Sequence, residues 1–137
     1  MRLGFTVLLC AVALAGCERE AERAQDRAED KMERAAEAQA TAAGAEAAAL
    51  GLTELQLLEA DLRDANGVEL GDVVKIDRDS SGNVSRLLIE VEDSNPDRFV
   101  YIPIQGLKTV PRGNEIDIQT TMTAAQLNAL PAETLTP

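Results

Sequence analysis

Histidine and tryptophan are both absent from the 137 residues, cysteine occurs twice, and aromatic side chains make up only 2% of the chain. Each shortage excludes something. Without His, the commonest general base and the commonest metal ligand are missing together, so zinc or copper centres of the usual His/Cys type cannot be built. Positive charge is scarce as well: 13 Lys and Arg stand against 24 Asp and Glu, for a net charge of -11. Such a chain repels phosphate backbones and anionic headgroups, because binding either depends on clustered cations. Nucleic acid is therefore not an expected partner. Long apolar runs are also missing beyond the first residues, and any core must come from Val, Ile and Leu with Phe99 and Tyr101 as its aromatics.

What is present begins at the N-terminus. Arg2 precedes the apolar stretch Leu3–Leu14, which Ala15, Gly16 and Cys17 follow. Charge, apolar run and small residues in that order are the pattern of a secretory signal, and the run falls short of the roughly 20 residues that span a bilayer. Leu14-Ala15-Gly16-Cys17 resembles a bacterial lipobox. That resemblance implies residues 1–16 as a lipoprotein signal peptide and Cys17 as the lipidation site, carrying a diacylglyceryl thioether and, in most Gram-negative bacteria, an amide-linked acyl chain. Acyl chains contribute about 0.8 kcal/mol per buried methylene, and two or more anchor a protein stably. Cys10 would leave with the leader, so Cys17 remains alone and no intramolecular disulfide is expected. By analogy with lipoprotein sorting, the lipobox resemblance together with Glu18, rather than Asp, after the cysteine implies the outer membrane facing the periplasm over the inner membrane.

Residues 17–49 are Ala, Glu, Arg and Gln with almost no large apolar side chain. These are strong helix formers. Pairs such as Asp30–Arg34 and Arg34–Glu37 set opposite charges on neighbouring turns. The expected element is a solvated helical spacer, about 39 Å long over Glu18–Ala43 at 1.5 Å per residue. A heptad frame runs through it: Ala21, Ala28, Ala35, Ala42 and Ala49 at one position, Ala24, Lys31, Ala38, Ala45 and Leu52 at the other. Alanine buries little area at a coiled-coil seam, so a self-associating helix is the alternative to a monomeric spacer.

Residues 50–137 change character. Short β-branched runs alternate with turns: Asp64–Gly67, strand Val68–Asp77, turn Asp79–Asn83, strand Val84–Glu92, a break at Ser94–Asp97, strand Phe99–Ile102 and strand Glu115–Gln119. In the first strand Val74 and Ile76 alternate with Val73 and Lys75; in the second Leu87, Ile89 and Val91 share a face. Thr123–Leu127 reads as a capped short helix. The expectation is mainly β: a small antiparallel barrel with a C-terminal short helix.

The order Asp64-Ala65-Asn66-Gly67-Val68-Glu69-Leu70-Gly71-Asp72-Val73, Gly82-Asn83-Val84, Leu87–Val91, Tyr101-Ile102-Pro103, Leu107–Val110 and Ile116–Ile118 before Thr123–Pro131 resembles the PRC-barrel family. The resemblance implies a small β-barrel that makes protein–protein contacts, with no catalytic residues to carry over and no cofactor. A fold by itself is a scaffold and does not fix a function.

Two constellations carry chemistry in principle. Asp77, Asp79 and Ser81 before Gly82 resemble the first half of a calcium loop, but Leu88 stands where the bidentate Glu belongs, and a hairpin turn explains the same residues. Glu90 and Glu92 lie two apart on one strand face, without a nucleophile beside them. The expected function is thus an envelope lipoprotein, not an enzyme, that presents a binding or structural module to an envelope protein partner. Self-association through the helix and a calcium-responsive module are the alternatives.

Overall fold

A computed structural model of the protein describes residues 15–136. The leader Met1–Leu14 and its apolar run lie outside those residues. Among the described residues no helix is long and apolar enough to cross a membrane.

The charged segment forms α1, Ala15–Ala43, which ends where Gly44 adopts φ 72° and donates its N–H to the carbonyl of Ala40. A turn through Leu50 and Gly51 leads into α2, Glu54–Leu58. Seven strands follow: β1 Asp61–Arg63, β2 Glu69–Arg78, β3 Val84–Val91, β4 Phe99–Pro103, β5 Lys108–Arg112, β6 Glu115–Gln119 and, after α3 Ala124–Asn128, β7 Ala132–Glu133. They make one sheet in the order β5-β6-β1-β2-β3-β4-β7. The molecule is mainly β, as expected. One pairing departs from the antiparallel expectation: β1 runs parallel to β6. The two are far apart in sequence, so no hairpin turn dictates their relative direction.

The turns of the β1–β2 and β2–β3 hairpins share one design. Asp64 Oδ1 accepts from the N–H groups of Asn66 and Val68, and Asp79 Oδ1 from those of Ser81 and Asn83. In each case the preceding arginine, Arg63 or Arg78, donates to the carbonyl of the turn glycine, Gly67 or Gly82. Arg-Asp-x-x-Gly thus closes both hairpins, with Gly supplying the positive φ that the last turn position requires.

Alternation along the strands divides the sheet into two faces. Leu62, Leu70, Val73, Ile76, Leu87, Ile89, Val91, Val100, Ile102 and Ile118 point to one, where Leu57 of α2 and Leu127 of α3 complete the main core. Both short helices begin with the same device: Thr53 and Thr123 accept from the backbone N–H of Gln56 and Gln126, whose side chains return the bond. On the opposite face Val74, Leu88 and Phe99 form a smaller cluster with Met32, Tyr101 and Leu135. The expected alternation of Val74 with Ile76 is corrected here. Register shifts between Val73 and Lys75, so Val74 is an extra residue in β2 and turns outward while Val73 and Ile76 both stay in the core.

The solvated spacer is corrected too. Ala28 and Ala40 are buried, Ala24, Gln25, Glu29, Met32 and Ala36 half-buried, and α1 lies against α2 and β2. The contact row advances in steps of four, the ridge by which one helix packs obliquely on a neighbour. It does not follow the heptad frame, since Ala21, Ala35, Ala38, Ala42 and Ala45 are all exposed.

Candidate functional site

The outer sheet face is where the charged and unusual side chains gather, and it has two halves. Over β5, β6, β1 and β2 it is ionic. Because Leu62 and Ile118 point inward, their neighbours Asp61, Arg63 and Asp117 point outward and meet. Arg63 Nε donates to Asp117 Oδ2 at 2.5 Å, and its Nη2 reaches Asp61 at 2.7 Å and Glu69 at 3.0 Å. Arg112 Nε donates to the same Asp117 oxygen at 2.6 Å and its Nη2 to Asp61 at 2.7 Å. Asp117 is only 2% exposed. Burial opposes its charge, but the guanidinium groups of Arg63 and Arg112 outweigh that and hold its carboxyl below the ordinary range. Two arginines on three carboxylates make a lattice that ties β1, β2, β5 and β6 together.

A second lattice sits on β2, β3 and β4. Arg86 holds Asp77 through Nε at 3.1 Å and Nη2 at 2.9 Å and stacks 3.7 Å above the Tyr101 ring. Lys75 reaches Asp77 at 3.1 Å. Burial again works against the Asp77 charge, and Lys75 with Arg86 overcomes it, lowering the carboxyl.

These partners decide how the calcium-loop residues are used. Asp77 already has two cations, and Asp79 caps its own turn with two backbone N–H groups. The Ser81 side chain is exposed beside Gly82. Through these bonds Asp77, Asp79 and the backbone of Ser81 take part in building the β2–β3 hairpin.

The other half of the outer face is covered by α1. Glu29 and Glu33 from the helix and Glu90 from β3 bring carboxylate oxygens within 4.8 Å of one another. Glu33, Glu37, Asp72, Val73, Val74, Leu58 and Glu90 line a groove between helix and sheet. Burial, reinforced by Glu29, Asp97, Asp72 and Glu33, pushes Glu90 up to about 7. Glu29 and Asp72 are raised for the same two reasons, burial first and neighbouring carboxylates second. Glu90 therefore differs from Glu92, its companion in the sequence pattern, which is exposed.

Cys17 lies in the first turn of α1. The alanine seam contributes Ala28 to the sheet contact and leaves most of its other members in solvent. Pattern reasoning missed Arg63, Arg112 and Asp117 as a unit. Asp117 between two inward isoleucines was the available signal, but its partners come from strands distant in sequence.

No family model matches the chain, and no curated protein matches it.

Proposed function

We propose that this protein is a bacterial envelope lipoprotein whose β domain, of PRC-barrel type, serves as a non-catalytic binding or structural module. The observation that carries the reading is Leu14-Ala15-Gly16-Cys17 at the end of a short apolar run behind Arg2. Cleavage before Cys17 removes Arg2, bringing the net charge to -12, and leaves the lipid on the first residue of a helix that leads into the β domain. Two or more acyl chains there hold the module on the membrane, with the outer membrane favoured by Glu18. The sheet order and the repeated Arg-Asp-x-x-Gly hairpins support a compact scaffold, and closure into a barrel is the finer form proposed for it. The outer face, built from ion pairs and turn caps, offers rigid polar surface to a protein partner.

The test has two arms. Cells producing the full chain and its Cys17→Ser variant are grown with labelled palmitate; label in the first and none in the second is the expected result, and label in neither overturns lipidation. In-cell cross-linking followed by mass spectrometry then separates the roles. A discrete envelope protein captured with the lipidated form, and lost with Cys17→Ser, supports the adaptor. Self-cross-links alone replace it by a structural oligomer.

A further inference from the structure

The seat of α1 on the sheet is thin. Ala24, Ala28, Ala36 and Ala40 supply most of it, Met32 is its one large apolar side chain, and Gln25 adds a single hydrogen bond to the carbonyl of Asp97 at 2.9 Å. Small side chains bury little area, so a helix of 29 residues is held by few favourable contacts.

Like charges face each other across the same seat. Glu29 and Glu33 come from α1, with Asp26 and Glu37 on the same helix; Glu90 comes from β3, Asp72 from β2, and Glu92 and Asp97 from the β3–β4 loop. Arg23 and Lys31 of α1 are exposed and reach none of these carboxylates, and other cations of the packed elements are engaged elsewhere. Lys75 and Arg86 hold Asp77, Arg34 holds Asp30, Arg27 bonds the Arg23 carbonyl, and Arg98 bonds the carbonyls of Asn128 and Leu130. Among the described residues no ion pair reaches Glu29, Glu33, Asp72 or Glu90.

We propose that α1 is a pH-operated strap, lying on the sheet when the groove carboxylates share protons and lifting from it as they ionise. The bends at Gly44 and at Leu50–Gly51, all with positive φ, are the pivots. Lifting uncovers the outer apolar cluster of Val74, Leu88 and Phe99. The seated state binds protons that the lifted state releases, because burial with Glu29 and Glu33 of the helix contributes to the rise of Glu90, and burial with Asp97 of the β domain to that of Glu29. Seating is therefore fully favoured below the ordinary Glu range, weakens as pH rises, and for Glu90 reaches its limit above about 7. This inference is independent of the lipid on Cys17.

Hydrogen exchange of the full chain, followed peptide by peptide at about pH 5.5 and pH 8 and corrected for intrinsic exchange rates, tests it. Protection over residues 27–40 should fall about tenfold at the higher pH, a solvent-screened fraction of what the Glu90 shift would give if fully transmitted. Protection of Leu87–Val91 should change far less. Glu90→Gln should keep α1 protected at both values, and Glu33→Gln should act in the same direction. Equal protection of α1 at both pH values overturns the strap, as does a pH response unaltered in both variants. So does a parallel loss in β3, which would mean global unfolding.

Discussion

Asp117 shows how one residue can be placed by a pattern and explained only by the fold. Alternation in Ile116-Asp117-Ile118 turns it outward, yet it is buried, because Arg63 and Arg112 close over it from β1 and β5. Removing the carboxylate strands two guanidinium groups in a partly desolvated site. Asp117→Ala should therefore cost about 3–5 kcal/mol of stability, the range for breaking a buried pair from one side, measured by denaturant unfolding. Gly71 is equally constrained for a steric reason. A Cβ there would stand 2.0 Å from the carbonyl oxygen of Glu90 in the adjacent strand. Gly71→Ala should destabilise by about 3 kcal/mol or more, the upper part of the overpacking range. A melting temperature within a degree or two of the parent would show that β2 and β3 can separate locally without penalty.

At the scale of elements, β2, β3, β4 and β6 were legible because apolar residues alternate between turn residues, and α3 because Thr123 and Gln126 frame it. The same framing by Thr53 and Gln56 marks α2, whose five residues are too few to show a helical apolar period. β1, β5 and β7 were not legible. They are two to five residues long, and β5, Lys108-Thr109-Val110-Pro111-Arg112, carries one apolar β-former among polar residues. Their strand state comes from neighbours in the sheet and not from local preference. The acidic groove was invisible for a related reason: Glu90 looks like any solvated strand residue until α1 lies across it. The placement of α1 is not legible in the sequence because alanine reads as helix propensity whether it is buried or not. Ala40 is fully buried and Ala38, a member of the heptad frame, is exposed. Ala40→Glu should thus release α1 from the sheet, exposing its amides to exchange, while Ala38→Glu should leave protection unchanged. The opposite ranking would restore the coiled-coil seam.

At the scale of the whole molecule, two sets of carboxylates pull the stability curve in opposite directions. Glu90, raised to about 7, adds stability as pH falls from 7 toward 4.5, when the native state takes up a proton the unfolded chain does not yet hold. Asp117 and Asp77, both lowered, hold stability that is present above the ordinary Asp range and disappears as pH drops through and below it. Thermal unfolding followed across pH should accordingly peak near pH 5, with a gentle decline on the alkaline side and a steeper one on the acid side. A maximum at pH 7 or above would mean that Glu90 stays ionised in the native groove.

The outer cluster also joins the two ends of the described chain, since Met32 from the first helix and Leu135 from the last residues meet on Val74, Leu88 and Phe99. A molecule tethered at its N-terminal side and pulled outward would feel the load first where α1 leaves the sheet. Such a load peels contacts one after another and does not shear the strands past each other. The helix would act as a shock absorber, paying out up to about 43 Å of length at 1.5 Å per residue before tension reached the β domain.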